Sequence, residues 1–308
     1  MTVLLDALSS LEYRGYDSAG IAVLDTSNVG VHVIKDNHKV VHLAREVESR
    51  HLPDGRTGIG HTRWATHGRP TALNAHPHSD CTGRLHVIHN GIVENFRELR
   101  ELLTLRGHQF SSDTDTEVLP HLIEEFYDGN LTMAVRRAVA SIEGVYALVA
   151  MSAIEPDRIV AARLSAPLVI GLGEEEMFAA SDITALIPYT RSVALLGDGE
   201  IATLGPGTIT VETLDGEPTE PRLVAVEWDA IQAQKNGYPH FLLKEIHEQP
   251  ETLRNALRGR IADTGLVDLR EIGISDELLA GIRDIVLVAC GSAWYTAMVT
   301  RYALEHLA

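Results

Sequence analysis

Four short stretches carry residue types able to act on a small polar molecule. Arg14-Gly-Tyr-Asp-Ser-Ala-Gly20 sets an arginine and an aspartate between glycines, which serves equally well as an ion-paired turn. His61-Thr-Arg-Trp-Ala-Thr-His67 is denser: the Arg63 guanidinium offers a planar fork for a carboxylate and Trp64 could cover a ligand, although a structural strand end accounts for the same residues. Asn90-Gly91 follows an apolar run and places a side-chain amide beside a flexible backbone N–H. That pair suits an oxyanion hole, and equally an Asn-Gly hairpin turn. Asp113, Asp115 and Glu117 alternate just before a helical pattern, so one of them is expected to cap that helix, leaving another to hold an ammonium group. Arg63 and Asp115 together would read the carboxylate and amine of a free amino acid, while Asn90 and Gly91 would stabilise charge developing on a side-chain carbonyl. Such a set points to amide hydrolysis.

A metal hydrolase is the competing chemistry, resting on His61, His67, His76, His78, His86 and His89. His76 and His78 flank Pro77, but no nearby cysteine or closed ligand set completes a site, so no metal is expected. Cys81 and Cys290 are too far apart to suggest a disulfide framework or a ligand pair.

The elements that must position these residues come in blocks. Val3, Leu4, Ala7, Leu8 and Leu11 trace one helical face at the start of the chain. Strands are expected at Gly20 to Asp25, Val31 to Lys35, Thr57 to Trp64 and Leu85 to His89, with a short helix from Val40 to Val47. Gly68 to Gly83 is a long polar loop and a candidate lid. Three amphipathic helices follow Asn90-Gly91, then an apolar strand over Val145 to Met151, then short antiparallel strands from Ile159 to Val211. Blocks of this kind predict an α+β layered domain over residues 1–215. Prolines and acidic residues mark 216–240 as a linker, and 241–308 as a second unit. That unit holds a helix that Pro250 should kink or divide, an apolar strand from Asp284 to Ala289, and Cys290-Gly-Ser-Ala leading into a further helix.

Composition limits the partners. The chain has 308 residues, 26 basic against 43 acidic, with a formal net charge of −17, which disfavours nucleic acid and anionic membranes. No stretch approaches the roughly 18 apolar residues of a membrane helix, and the first residues lack the basic flank of a signal peptide. A cytoplasmic protein is expected.

The segments Arg14 to Gly20, His61 to Gly68, Asn74-Ala-His-Pro-His78, His89 to Asn95, Ser112 to Val118, Lys244 to Pro250 and Ala289-Cys-Gly-Ser292 resemble the glutamine–fructose-6-phosphate aminotransferases, the glucosamine-6-phosphate synthases. The resemblance runs in order along nearly the whole chain. It implies a four-layer αββα glutaminase sandwich of the N-terminal-nucleophile type, followed by the beginning of an α/β phosphosugar-binding domain. It further implies an enzyme that takes ammonia from L-glutamine and makes D-glucosamine 6-phosphate from D-fructose 6-phosphate, as a homodimer and with no cofactor. On matching positions, Arg63 and Asp115 would bind the glutamine α-carboxylate and α-amine, and Asn90 and Gly91 would form the oxyanion hole. Trp64, Thr66 and His67 would lie in or beside a closing loop, Arg14 near the nucleophile, and Ser292 in the sugar-phosphate site.

The sequence departs from the family in two places. Family members begin with a cysteine whose own amine is the general base, ahead of a strand that enters the first helix, whereas this chain starts at about that helix. Thr2 leads into the helix face and Cys81 has no free amine, so neither is a convincing substitute. The chain also carries Cys290-Gly-Ser-Ala in place of a Cys-Gly-Thr-Ser form. A fragment with negligible activity alone is expected. The alternative is a glutamine-binding or protein-interaction module that has lost its nucleophile.

Overall fold

The computed structural model describes residues 1–25, 30–50, 55–64, 68–226, 238–257, 267 and 275–307. Contacts divide the chain into two units, Met1–Gln234 and Lys235–Ala308.

Among the described residues the first unit is built on three antiparallel sheets. Ser18–Leu24 (β1) lies between Val31–Asp36 (β2) and Gly58–Arg63 (β3). A seven-stranded sheet takes His78–Ser79 (β4), Leu85–Val93 (β5), Gly144–Ser152 (β6), Glu155–Leu164 (β7), Glu200–Gly205 (β11), Thr208–Thr213 (β12) and Pro218–Thr219 (β13). A four-stranded sheet takes Val169–Leu172 (β8), Met177–Ala180 (β9), Ser192–Leu195 (β10) and Arg222–Ala225 (β14), with β9 and β14 at its edges.

Alternation along the strands decides what packs on what. On β1, Ile21 and Val23 face Thr2–Leu11 (α1) and Val40–Arg50 (α2), meeting Leu8, Val40, Leu43 and Val47. Ala22 and Leu24 face the other way, onto Ala147, Val149 and Met151 of β6 and Ala161 of β7. Tyr146, Leu148 and Ala150 of β6 turn to Phe96–Leu105 (α3), Val118–Phe126 (α4) and Leu131–Val139 (α5), against Leu103, Leu119, Ile123 and Val135. Both faces of β6 are therefore buried, which is why it reads as an unbroken apolar run.

In this unit three expectations of the elements change. The linker expected at 216–240 begins later, because β14 pairs with β10 and β13 with β12, carrying the sheets to Ala225. Residues 227–237 of that stretch lie outside those described. Gly68 to Gly83 is not an open lid in its second half: Asn74, His76, His78 and Asp80 are buried and β4 joins the sheet beside β5. The strand continues through Asn90-Gly91 to Val93, paired with Gly144–Ala147, so no hairpin turn forms there.

The second unit contains the helices Phe241–Leu257 (α6), Asp276–Gly281 (α7) and Gly291–Leu307 (α8). Pro250 sits inside α6 without dividing it. The apolar run from Asp284 to Ala289 is not a strand: it has no ladder partner among the described residues, and Val286 and Val288 are exposed. Strand structure depends on a neighbouring backbone, which an apolar run alone does not supply. Among the described residues no helix is long and apolar enough to cross a membrane.

Candidate active site

One cavity of about 360 Å³ is lined by Arg14, Arg63, Trp64, Asn90, Gly91 and Asp115, within the roughly 300–1,000 Å³ of small-molecule sites. It is also lined by β3 and by Met177 to Ser181, so it opens between the edge strands of two sheets, β3 and β9. Among the described residues that line it there is no cysteine.

Each side chain is brought there by its element. Arg63 closes β3, is 5% exposed, and donates to the carbonyls of Gly68 and Arg69 at 3.2 and 3.4 Å. Burial pulls its guanidinium below the usual arginine range, against the neighbouring Asp115 and Asp17 carboxylates. A buried cation of this kind gains strongly from a ligand carboxylate. Asp115 is 4% exposed and accepts the Val93 N–H through Oδ2 at 2.9 Å. Trp64 is exposed at the rim, edge-to-face with Tyr16 at 5.5 Å. Arg14 follows α1 in a 3₁₀ turn and donates to the Ser181 carbonyl at 2.8 Å, with Asp182 at 3.5 Å. Gly15 lets this turn approach closely, since a Cβ there would meet the Arg63 carbonyl carbon at 2.8 Å.

Asn90 is oriented by a residue that the sequence suggested only as a metal ligand. His61 on β3 reaches Asn90 Oδ1 from Nε2 at 2.9 Å. The amide oxygen only accepts, so His61 donates, and the Asn90 Nδ2 amide remains a donor. Burial pushes the His61 pKa down to about 4, with Asn90 opposing and His89 and Arg63 adding repulsion. Burial thus keeps the imidazole neutral, in the tautomer that carries its proton on Nε2. His76 stacks on it with ring centroids 4.1 Å apart, so the two rings meet face to face and do not converge on a shared ion.

Gly91 has φ +140°, and a Cβ there would lie 1.8 Å from the Val145 carbonyl oxygen. Gly91→Ala is expected to destabilise the chain by about 2–5 kcal/mol, combining backbone strain with overpacking. A urea midpoint equal to that of the parent chain would show that the backbone is not held in this conformation.

Not every expected residue takes its expected place. None of Asp113, Asp115 and Glu117 caps α4 with its side chain. The Glu117 carboxylate instead accepts the N–H and hydroxyl groups of Ser111 and Ser112 at 2.7 to 2.8 Å, bracing the turn that presents Asp115. Burial would raise the Glu117 carboxyl, but these donors hold it below the usual range. Thr66 and His67 lie outside the described residues. Ser292 stands exposed in the first turn of α8, in the second unit.

The chain matches the family of glutamine amidotransferase domains over residues 61–188. It is 51% identical over its whole length to a protein of Symbiobacterium thermophilum named glutamine–fructose-6-phosphate aminotransferase (isomerizing). It is 48% identical to the protein of the same name from Thermus thermophilus and 46% to that of Streptomyces coelicolor, in each case over 99% of the chain. It spans about half the length of these curated relatives, 50% of each. Among solved structures, the glutamine phosphoribosylpyrophosphate amidotransferase of B. subtilis superposes with a TM-score of 0.60 at 25% identity, over 69% of this chain and 46% of that one.

Proposed function

We infer that this chain, homologous along its whole length to glutamine–fructose-6-phosphate aminotransferases, is the glutamine-handling portion of such an enzyme. The observation that carries this reading is the convergence of Arg63, Asp115, Asn90 and Gly91 on one cavity. Arg63 and the carboxylate of Asp115 grip the α-carboxylate and α-amine of L-glutamine. The γ-amide then lies against Asn90 and Gly91, whose Nδ2 and backbone N–H groups receive the negative charge that forms on its oxygen when a nucleophile adds to the carbonyl carbon. Collapse of that adduct breaks the C–N bond and releases ammonia. In this reading the nucleophile is the cysteine that the family resemblance implies. Trp64, at the rim, belongs to the loop that closes over glutamine, and Arg14 lines the same cavity.

The complete enzyme passes this ammonia to D-fructose 6-phosphate and yields D-glucosamine 6-phosphate and glutamate. In this reading the first unit is the four-layer αββα glutaminase sandwich, supported by back-to-back sheets with helices on their outer faces. Residues 241–308 begin a phosphosugar-binding domain, with Ser292 at the phosphate. The parent enzyme is a cytoplasmic homodimer that needs no cofactor for either half-reaction.

Calorimetric titration tests the pocket without requiring turnover. L-Glutamine is expected to bind, whereas glutaramate, which lacks the α-amine, and 4-aminobutanamide, which lacks the α-carboxylate, should each bind at least about 100-fold more weakly, as expected when a buried charged group loses its partner. Equal affinity for all three compounds would overturn the reading. The second reading, a glutamine-binding or protein-interaction module without a nucleophile, expects the same binding; neither reading expects ammonia from this chain alone, so affinity and not turnover is the readout.

A further inference from the structure

On the outer helical layer, away from the residues described above, four side chains from three segments close on one point. Cys81 lies in the turn between β4 and β5, His108 follows α3, and His121 and Glu124 occupy successive turns of α4. One ligand atom from each lies within 4.8 Å of every other. Cys81 Sγ is 3.5 Å from His108 Nδ1 and 3.4 Å from His121 Nδ1, and the two ring nitrogens are 3.3 Å apart. Glu124 Oε2 is 3.1 Å from His108 Nδ1 and 3.5 Å from His121 Nδ1, and also accepts the Cys81 N–H at 3.0 Å.

We propose that Cys81, His108, His121 and Glu124 form a structural zinc site. Zn–N bonds of about 2.0–2.1 Å and Zn–S bonds of about 2.3 Å in a tetrahedron place neighbouring ligand atoms roughly 3.3–3.6 Å apart, close to the spacings found here. Hydrogen bonding accounts for the cluster poorly: two imidazole Nδ1 atoms, a carboxylate oxygen and a sulfur are mutually adjacent, and a proton on any one of them satisfies a single pair. The charges also fit. A divalent ion with one thiolate and one carboxylate is neutral overall, which suits a site where His121 is 1% and His108 8% exposed. The mixture of sulfur, imidazole and carboxylate favours zinc over magnesium or calcium.

The surroundings of His108 follow the same pattern. Its Nε2 lies 3.2 Å from Glu125 Oε2, so Glu125 fixes the tautomer that leaves Nδ1 free to ligate. Carboxylates hydrogen-bonded to the far nitrogen of a ligating histidine do this in many zinc sites. On binding, the Cys81 thiol loses its proton to solvent and the thiolate sulfur bonds to the metal. The ion then ties the β4–β5 turn and the α3–α4 connection to α4, the helix that follows Asp115.

Cobalt(II) substitution tests this on the full chain after removal of metal by chelator. Equimolar cobalt should produce a thiolate-to-cobalt charge-transfer band with intense tetrahedral visible bands, and zinc should displace them. Cys81→Ser should abolish the charge-transfer band, whereas Cys290→Ser, which removes the other cysteine, should keep it. Glu125→Gln should retain the band and bind the metal about 10–100-fold more weakly. A parent chain that is folded by circular dichroism yet gives no charge-transfer band would overturn the proposal. A band that survives Cys81→Ser would do the same.

Discussion

Arg63→Ala is expected to weaken L-glutamine binding by about 10²–10³-fold, with little change in the affinity of 4-aminobutanamide, the analogue without an α-carboxylate. The magnitude follows from what the substitution leaves behind. Truncating one partner of a buried, hydrogen-bonded charge pair costs about 2–5 kcal/mol, much of it from stranding the other charge. Here the stranded group is the ligand carboxylate, held in a cavity where Arg63 is almost fully covered. The comparison with the analogue matters because Arg63 also donates to Gly68 and Arg69 and so helps to hold the turn beyond β3. If alanine merely loosened that turn, both ligands would weaken together. Selective loss of the carboxylate-bearing ligand identifies the guanidinium as its receptor, and equal loss would reject that role. Arg63→Lys should recover only part of the affinity, since an ammonium keeps the charge but not the two-pronged geometry.

The layering was legible where patterns are local. The α1 face of Leu4 and Leu8 and the strands β1, β3 and β6 lie where periodicity puts them, because each buries a face against an element close in sequence or a long apolar partner. The cavity residues were legible as well, since Arg63, Asn90 and Asp115 sit at or near element ends, where the sequence breaks from its apolar rhythm. What escaped depends on partners distant in sequence. Asn90-Gly91 has the composition of a turn, yet pairing with Gly144–Ala147 keeps it extended. Arg222–Ala225 has no strand signature of its own and becomes one by lying beside Ser192–Leu195. The converse holds for Asp284 to Ala289, whose apolar run predicts a strand that no described neighbour completes. Cys81, His108, His121 and Glu124 show no spacing motif, and only the packing of α4 beneath the β4–β5 turn reveals them as a set.

Acid should destabilise this fold well above the carboxylate range, and the buried histidines set the size of the effect. His61 is neutral when folded, with a pKa of about 4 against 6.5 for the free side chain. Above pH 6.5 neither state binds the proton and stability is unaffected. Below it the unfolded chain takes up a proton that the folded chain refuses, so stability falls by about 1.4 kcal/mol per pH unit until the folded form also protonates near pH 4. His61 alone therefore accounts for a loss of about 2 kcal/mol at pH 5. Burial likewise lowers His76, His78 and His89, so their losses add in the same direction. Urea unfolding in the presence of chelator, which removes any metal contribution, should show stability falling steeply between pH 6.5 and 5, with a slope corresponding to more than one proton taken up on unfolding. Unchanged stability between pH 7 and 5 would mean that these imidazoles titrate in the fold as they do in the unfolded chain, and the neutral His61 that aims the Asn90 amide would have to be abandoned.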